Sequence, residues 1–411
     1  MDNYLIVADD FNDSNDIGVQ LCRRGIPVSV MFSGKLITGQ ESCVLDTESR
    51  EMTAQEAYEK VSAAVASVPF EKFAHVIKKV DSNLRGQIAS ETKAIDRYFN
   101  SELVICAPAL PDLGHTTLNR IHQLNGIPIT QTEIALDPNA PVQQDDIQAI
   151  MAAVFDEPVT HIGIDAVNAG DINLEKGRVF TFDARRNSDM QNIIRSALEA
   201  KKRILWVGTA AMVDNLLSVQ KNIPPALGVI ASLSSVTRGQ VMYAEKQGIQ
   251  LVQVPVHDVL EGKVSRDSIA DNAIAVLNSG RDVIVLSSAS YDAEEFRKSV
   301  SAAARKGMTS EAMSRYTQTA MAEIAVMILE NAAISGIFLS GGDTAMGFLD
   351  IAESSGSSII TEIAIGMPMM HLRGGKYEGM KIVTKAGAFG KEDAVFYALR
   401  KLREGNSNET A

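Results

Sequence analysis

Short apolar segments alternate with longer amphipathic segments along this chain. The first apolar segment, residues 4–8, ends in acidic residues and is followed by a helical pattern over residues 14–23 that Gly25 closes. Similar buried-strand patterns occur at residues 27–32, 42–46, 75–80, 103–108 and 161–164. Helical patterns at residues 53–67 and 86–99 separate several of these strands. This alternation predicts a mostly parallel α/β sheet flanked by helices.

The pattern starts again after a helix that ends near residue 221. Pro224 and Pro225 follow this helix, and a fresh strand pattern begins at residue 228. Further strand patterns lie at residues 251–254, 282–286, 336–339 and 381–384, with helical patterns at residues 314–331 and 392–402. We therefore predict two α/β domains, residues 1–225 and 226–411, each a mostly parallel sheet flanked by helices.

Length and composition agree with two globular domains and exclude several function classes. The 411 residues exceed what one hydrophobic core usually supports, and 45% hydrophobic with 22% charged residues is an ordinary globular balance. A net charge of −12 argues against a general nucleic-acid partner. Three separated cysteines and six histidines without an HExxH motif indicate neither a disulfide framework nor a zinc site. The N-terminus lacks a basic region and no apolar run is of membrane-spanning length, which predicts a cytoplasmic protein with no membrane partner.

In open α/β sheets, ligands bind beyond the carboxyl ends of the strands, so the loops that follow strands are the places to search for chemistry. The first such loop, VADDFNDSND, places Asp9 and Asp10 side by side. Adjacent carboxylates repel each other and are best tolerated where a cation, a polyol or a basic side chain shares the site. Asp13 and Asp16, later in this segment, are explained well by capping of the helix that follows.

Two further loops of the first half carry basic residues. LDTESR ends in Arg50, whose planar guanidinium suits a carboxylate, although a solvated surface arginine has the same pattern. KKVDSNLRGQ precedes a helix at Gly86, and a helix N-terminus beside an arginine favours an anion over the alternative of a solvated turn. Its candidate residues are Lys78, Lys79, Asp81, Ser82, Asn83 and Arg85. A lone histidine such as His115, in PDLGHTT, is more often a core or surface residue than a catalyst.

The second half has two glycine-bearing loops after strands. IFLSGGDTAMG brings Gly341 and Gly342 ahead of Asp343 and Thr344, where backbone amides can approach a phosphate and the side chains can cap a helix or hold magnesium. It lacks the lysine of a P-loop and the GxGxxG spacing. IVTKAGAFG adds Lys385 and a second glycine turn, and two such loops suit a nucleotide, with simple left-handed turns as the alternative. A hydroxyl-rich segment, GVIASLSSVTRGQ, either caps a helix or lines the same site.

Taken together, VADDFNDSND, DTESR, KKVDSNLRG, APALPDLGHTT, SGGDTA and KAGAFG resemble the four-carbon acid sugar kinase family, in order and spacing over nearly the whole chain. The resemblance implies that residues 1–225 bind an acid sugar, that residues 226–411 bind ATP, and that the active site lies in the cleft between the domains. It implies phosphorylation of the terminal 4-hydroxyl of a four-carbon sugar acid, a reaction that also requires Mg²⁺. Overall likeness favours D-threonate, giving 4-phospho-D-threonate, over D-erythronate or a 3-oxo-tetronate.

The resemblance also implies roles for individual positions. It implies substrate contacts at Asp10, Arg50, Ser82, Asn83, Leu84 and Arg85, with Asp9 and Lys79 close by. It implies ATP contacts at Ser232, Gly341, Gly342, Asp343, Thr344 and Gly387, to which we add Lys385. Asp10 and Asp343 are both candidates for the catalytic base. Asp343 is alternatively a magnesium ligand, and no other metal ligand is assigned. The chain departs from the common family pattern at Asn12-Asp13-Ser14, Ala231 and His115, where Thr-Gly-Ala, glycine and arginine are usual.

Two other function classes share the α/β halves. A nicotinamide-dependent oxidoreductase acting on sugar acids would also have glycine turns, but no GxGxxG follows the first strand. A non-catalytic sugar-acid sensor would close two hinged lobes around its ligand. For a soluble enzyme of this kind, the commonest assembly is a homodimer.

Overall fold

The strands and helices alternate as the hydrophobic pattern predicts. The computed structural model describes residues 2–404, which form two compact units that divide between Asn222 and Ile223. The strands of the first unit are β1 (Tyr4–Ala8), β2 (Val28–Met31), β3 (Ser42–Asp46), β4 (His75–Lys79), β5 (Leu103–Ala107), β6 (His115–Leu118), β7 (Ile121–Leu124), β8 (Ile127–Pro128), β9 (Val159–Ile162), β10 (Val179–Phe182) and β11 (Ile204–Gly208). Its helices are α1 (Phe11–Cys22), α2 (Ala54–Val65), α3 (Ile88–Phe99), α4 (Ile147–Ala152), α5 (Ile164–Ala169), α6 (Asn187–Glu199) and α7 (Ala210–Gln220).

The first unit is built on an eight-stranded sheet in which every paired strand is parallel to its neighbour. The strand order is β2-β3-β1-β4-β11-β5-β10-β9. In β1, Leu5 and Val7 pack into one hydrophobic core with α2 and α3, whereas Ile6 and Ala8 pack into another with α1, α6 and α7. Because both faces are covered, a strand such as β1 is a continuous apolar run, and the prediction of a mostly parallel α/β sheet is confirmed.

Caps set several helix boundaries that the hydrophobic pattern places only roughly. Thr53 and Glu56 form a capping box, in which each side chain accepts from the other residue's amide, so α2 begins at Ala54. The strand predicted at residues 161–164 is instead β9, Val159–Ile162, because Ile164 already opens α5 and its amide donates to Asp183 Oδ2 at 3.1 Å. The predicted strands therefore exist, with ends that shift where a cap or turn intervenes.

Some elements of the first unit are absent from the sequence prediction. The small antiparallel sheet β6-β7-β8 lies between β5 and α4, and its short strands contain several polar residues, as in HTTL and IHQL, so they lack a continuous apolar run. β10 and β11 are also absent from the predicted strands, although both are wholly buried strands of the main sheet.

The second unit repeats the strand and helix alternation. Its strands are β12 (Leu227–Ile230), β13 (Gln250–Val254), β14 (Val283–Ser287), β15 (Ile337–Ser340), β16 (Gly356–Ala364), β17 (Met367–Arg373) and β18 (Lys381–Lys385). Its helices are α8 (Ser235–Lys246), α9 (Val256–Leu260), α10 (Arg266–Asn278), α11 (Ala293–Arg305), α12 (Ser310–Asn331), α13 (Gly342–Ile351) and α14 (Ala394–Leu402). The sheet order is β13-β14-β12-β15-β18-β17-β16.

Five strands of the second sheet are parallel, and an antiparallel hairpin completes one edge. β12, β13, β14, β15 and β18 pair in parallel, whereas β16 and β17 pair antiparallel with each other and β17 with β18. Because much of β16 is exposed, it has no buried apolar run, and the sequence pattern does not predict the hairpin. Across residues 2–404, no helix combines the length and apolar character that crossing a membrane requires.

Candidate functional site

Loops of the first sheet meet at the carboxyl ends of β3, β1 and β4, which are neighbours in the strand order. The Arg50 guanidinium donates from Nε and Nη2 to the two carboxylate oxygens of Asp9, at 3.2 Å each. The backbone amides of Ser49 and Arg50 donate to the Asp9 carbonyl, at 3.0 and 3.2 Å. The fold thus brings together two residues that lie 41 positions apart in the sequence, with Asp9 only 2% exposed.

A mostly buried group of charged side chains surrounds this pair. We name as the charge cluster the side chains of Asp9, Asp10, Asp13, Arg50, Lys78, Lys79 and Glu91. Lys78 Nζ lies 2.6 Å from Glu91 Oε2 and 3.7 Å from Asp9 Oδ1. Lys79 Nζ lies 3.0 Å from Asp13 Oδ2. Each carboxylate is therefore next to a cation, which is the condition for ionised groups to share a buried site.

Burial and neighbouring charges have opposite effects on ionisation in the charge cluster. Burial raises the pKa of Asp9, but the positive charges of Lys78 and Arg50 outweigh it and hold that pKa below its usual value. Burial lowers the pKa of Lys78, and the carboxylates of Asp9 and Glu91 more than reverse this, so its pKa is raised. Burial prevails at Glu91, whose pKa is raised. Asp9 and Lys78 are charged at neutral pH, whereas Glu91 takes up a proton more readily than an ordinary glutamate.

Asp10 is the N-cap of α1 and the partly accessible member of the Asp9-Asp10 pair. Its Oδ1 accepts from the amides of Asn12 and Asp13, at 2.9 and 3.1 Å, while its Oδ2 lies 3.4 Å from Arg50 Nη1. The Asp10 side chain is 27% exposed. Asp13, which the sequence explains as a helix cap, directs its carboxylate instead to Lys79 and Arg50. Capping therefore belongs to Asp10, and Asp13 belongs to the charge cluster.

The loop that follows β4 is organised by Asp81. Its carboxylate accepts from Arg85 Nε and Nη2, at 2.9 and 3.2 Å, and from the amides of Asn83 and Arg85, at 3.2 Å each. Arg85 Nη1 donates to Asp137 at 3.1 Å. Burial raises the pKa of Asp81, but the hydrogen bonds and positive charge of Arg85 outweigh burial and hold that pKa below its usual value. The pair is therefore ionised. Asn83 Oδ1 is buried without a hydrogen-bond partner among residues 2–404, which leaves an acceptor for a ligand.

A histidine that the sequence analysis did not single out supports the same loop. His122 Nε2 donates to the Ser82 carbonyl at 2.8 Å, and its Nδ1 lies 3.1 Å from Thr117 Oγ. Burial lowers the pKa of His122 to about 4, so the ring is neutral and carries its proton on Nε2. His115 stacks on His122, with ring centroids 5.9 Å apart. Only the folding of the small sheet against the loop reveals this contact, since the two partners are 40 positions apart.

A cavity of about 530 Å³ lies beside Arg50 and Leu84 and is lined by the first residues of α2 and α3. The N-cap of α3, Gln87, makes no side-chain cap bond, so amides at this helix start are available to an anion. Gly86 is required here, because its φ is +86° and a Cβ would lie 2.7 Å from Asp9 Oδ2. The glycine delays the helix, which begins at Ile88 rather than at residue 86. The cavity can therefore hold a small anion next to the charge cluster.

Loops of the second sheet meet at the carboxyl ends of the neighbouring strands β12, β15 and β18. Gly341 has a φ of +106°, and its amide donates to the Lys385 carbonyl at 3.0 Å. This glycine lets the chain pass directly from β15 into α13, which begins at Gly342 without a capping side chain. Asp343 is exposed in the first turn, and Thr344 is buried. The helix start presents unbonded amides of the kind that bind phosphate.

Ser232 and Gly387, predicted as nucleotide contacts, lie against each other. A Cβ on Gly387 would lie 2.5 Å from Ser232 Oγ, so any side chain at that position would displace the serine hydroxyl. Thr237 Oγ donates to the Gly387 carbonyl at 2.7 Å. Ser234 caps α8 by accepting from the Val236 amide at 3.2 Å. The hydroxyl-rich segment thus caps a helix and also borders the second glycine loop.

A cavity of about 400 Å³ opens beside Asp343 and Thr344. Its walls include Leu233, Phe296 of α11 and Met313 of α12. A mostly apolar cleft of this size beside glycine loops can accept the base of a nucleotide. Within residues 2–404, no three or more His, Cys, Asp or Glu side chains are grouped to hold a metal ion. The accessible carboxylate of Asp343 suits magnesium, which often uses one or two protein carboxylates together with substrate phosphates.

Comparisons with known proteins cover both units. A family model described as a sugar-binding N-terminal domain matches residues 4–216, and one described as a nucleotide-binding C-terminal domain matches residues 227–395. A D-threonate kinase of Salmonella typhimurium is 29% identical, over 97% of this chain and 98% of that protein. A D-erythronate kinase of Heliobacterium modesticaldum is 26% identical, over 100% and 99%. A 3-oxo-tetronate kinase of Brucella melitensis is 22% identical, over 97% and 95%.

A solved structure shares the fold of the whole chain. It is a domain of unknown function from Bordetella bronchiseptica, crystallised with bound citrate as a domain-swapped dimer. It matches with a TM-score of 0.55 and 24% identity, over 98% of this chain and 99% of that one. This likeness supports the two-unit α/β architecture alone.

Proposed function

We infer that this chain, which belongs to the four-carbon acid sugar kinase family and is a sugar-acid kinase, transfers a phosphoryl group from ATP to the 4-hydroxyl of D-threonate. The observation that carries this choice is the full-length similarity to a D-threonate kinase. D-erythronate is the second candidate substrate, because a D-erythronate kinase is also similar over the full length of both chains. The oxidoreductase and sensor alternatives have no support from the relatives.

We propose that the sugar acid binds at the carboxyl edge of the first sheet, in the cavity beside Arg50 and Leu84. Both arginines among the predicted substrate contacts already have carboxylate partners, Arg50 in the charge cluster and Arg85 with Asp81 and Asp137. The uncapped start of α3 therefore supplies the direct donors to the substrate carboxylate, while Arg50 and Lys79 contribute positive charge. The unpartnered Asn83 Oδ1 and the accessible Asp10 Oδ2 accept from substrate hydroxyls.

The nucleotide is proposed to bind at the carboxyl edge of the second sheet. The amides of Gly341, Gly342 and Gly387 contact its phosphates, and its base enters the cavity between α11 and α12. Ser232 and Thr344 line the same loops. Phosphoryl transfer needs the two substrates to be aligned, so the proposed reaction requires the sugar-acid and nucleotide sites to be occupied together.

Asp10 and Asp343 are proposed to divide the roles of base and magnesium ligand. Asp10 accepts the hydroxyl proton, because its Oδ2 lies 3.4 Å from Nη1 of Arg50, which lines the proposed sugar-acid cavity, and Asp343 holds magnesium beside the phosphates. Replacing each by asparagine separates the roles. We expect Asp10→Asn to lower kcat far more than it raises KM for the sugar acid. Asp343→Asn should raise the magnesium concentration that gives half-maximal rate. The reverse assignment follows if the two variants exchange these effects.

An ADP-coupled assay against a panel of four-carbon sugar acids tests the proposed reaction. The panel contains both enantiomers of threonate and erythronate and a 3-oxo-tetronate, each with ATP and Mg²⁺. We expect the highest kcat/KM with D-threonate. A higher value with D-erythronate would overturn the substrate and keep the kinase. No ADP from any member would contradict the kinase itself, and binding of a sugar acid without ADP formation would support a sensor.

A further inference from the structure

Lys385, at the end of β18, is buried and bonded to its own loop. It is 2% exposed. Its Nζ lies 3.1 Å from each of the carbonyl oxygens of Ala386, Gly387 and Phe389, and 3.4 Å from Thr237 Oγ. An ammonium group has three N–H donors, and three carbonyls are enough to occupy all of them. The loop therefore wraps around the ammonium group of Lys385, and this side chain does not extend to the surface.

This arrangement fixes the direction of two backbone amides. In a trans peptide the N–H points opposite to the C=O of the same peptide plane. Because the carbonyls of Ala386 and Gly387 point to Lys385 Nζ, the amides of Gly387 and Ala388 point away from it. In the described chain, neither amide donates a hydrogen bond. Both amides are therefore free to donate to an anion, with the buried positive charge of Lys385 behind them.

We propose that Lys385 is a positioning residue that makes this loop a phosphate site by gathering its carbonyls, and that it does not itself contact the phosphate. The proposal rests on the nucleotide-binding role given above to the second unit. It differs from the action of a P-loop lysine, whose ammonium touches the phosphates. Gly387 contributes to this arrangement in two ways. Its carbonyl also accepts from Thr237 Oγ, and the absence of a Cβ avoids a 2.5 Å contact with Ser232 Oγ.

The charge of Lys385 depends on pH within an accessible range. Burial lowers its pKa to about 8, and the groups that face Nζ, the loop carbonyls and the Thr237 hydroxyl, are uncharged. A neutral amine has two N–H donors and cannot satisfy three carbonyls. The loop should therefore lose its amide alignment, and the phosphate its nearby positive charge, as the pH rises through about 8.

The test compares Lys385→Met with Lys391→Met, an exposed lysine near the same loop that has been given no role. Hydrogen exchange is measured by NMR at the Phe389 amide, which donates to the Ala386 carbonyl at 3.1 Å, in the nucleotide-free protein. We expect faster exchange in Lys385→Met and no change in Lys391→Met, because the lysine orders the empty loop. KM for ATP should rise about tenfold or more in Lys385→Met, as for a lost charge-assisted interaction, with KM for the sugar acid unchanged.

Each outcome decides between positioning and direct contact. Weaker ATP binding with unchanged exchange would show that the ammonium acts on the phosphate directly, and unchanged ATP binding would show no role; either overturns the proposal. If Lys385→Met does not fold, Lys385→Arg and the wild type are compared across pH 6.5–9.5. The wild type should lose ATP affinity above about pH 8, and the arginine variant should not. Failure of the wild type to bind ADP in calorimetry would contradict the nucleotide site itself.

Discussion

Replacing Lys78 by methionine removes a cation from between two buried carboxylates. Lys78 and Glu91 are each 1% exposed, with Nζ 2.6 Å from Glu91 and 3.7 Å from Asp9. Asp9 keeps its two bonds from Arg50, so the carboxylate left without a cation is that of Glu91, which retains its bond from Ser49 Oγ at 2.8 Å. The substitution keeps a side chain of similar length and therefore tests charge rather than volume.

The expected loss of stability can be worked out from this contact. Removing one partner of a buried ion pair typically costs about 3–5 kcal/mol. Glu91 can limit the loss by taking up a proton, which at pH 7 costs about 3.4 kcal/mol for a group of ordinary pKa 4.5, at about 1.4 kcal/mol per pH unit. We therefore expect about 3 to 4 kcal/mol at pH 7. The penalty should be smaller at pH 5, where protonating Glu91 costs less than about 1 kcal/mol.

The chain provides its own probe for this measurement. Its single tryptophan, Trp206, lies in β11, next to β4 in the sheet, and is 1% exposed. Urea unfolding followed by Trp206 fluorescence reports on the first unit, and with an m-value of about 3 kcal/mol/M the midpoint should fall by about 1 M. Lys93→Met is the matched control, because Lys93 pairs with Asp156, whose side chain is 92% exposed, and should cost less than about 1 kcal/mol.

A double variant separates an unpaired charge from a general packing defect. In Lys78→Met with Glu91→Leu, no carboxylate is left without its cation, so at least half of the lost stability should return. The reasoning fails if Lys78→Met is within about 1 kcal/mol of the wild type at pH 7, which is the range of an exposed pair. It also fails if the double variant is no more stable than the single one.

Two further predictions follow from the same unit. Gly86→Ala should reduce kcat/KM for the sugar acid about tenfold or more, because the new Cβ would lie 2.7 Å from Asp9 Oδ2. Gly126→Ala is the control: Gly126 has a φ of +83° but no neighbouring atom within 4 Å, so the substitution causes similar backbone strain and should keep activity. Buried His122 has a pKa of about 4, whereas in the unfolded chain its pKa is about 6.5. Between these two pH values the unfolded chain binds a proton that the folded chain does not, so the free energy of unfolding should fall by up to about 3 kcal/mol as the pH drops through this range. His122→Asn should reduce the pH slope by about one proton in urea titrations, and an unchanged slope would contradict the assignment of a neutral ring.

The location of the candidate sites was predictable from the sequence, because the carboxyl ends of parallel strands lie at one edge of a sheet and ligands bind beyond them. β1, β3 and β4 are apolar runs, and the polar segments after them had to lie at one edge of the sheet. The same rule placed the two glycine loops after β15 and β18 together. The amino-acid types also indicated the chemistry, since glycine before a helix start suits phosphate and clustered polar residues suit a sugar acid.

The partners of each charged side chain were not predictable. Arg50 was assigned to a substrate carboxylate, but Asp9, Asp10 and Asp13 already surround it. Lys385 was assigned to the nucleotide, but its ammonium is bonded to its own loop. An ionised side chain pairs with whichever opposite charge the fold brings within reach, and the sequence does not contain that distance.

The sequence by itself determined the α/β class, the order of most strands and helices, and the loops where chemistry is concentrated. These depend on local periodicity and on turn residues, which act within a few positions. The tertiary structure decided the charge cluster, the neutral His122 beneath the Ser82 loop, and the inward direction of Lys385. These depend on strand order, which places residues some 40 positions apart within hydrogen-bond distance, and on burial, which determines the groups that remain charged.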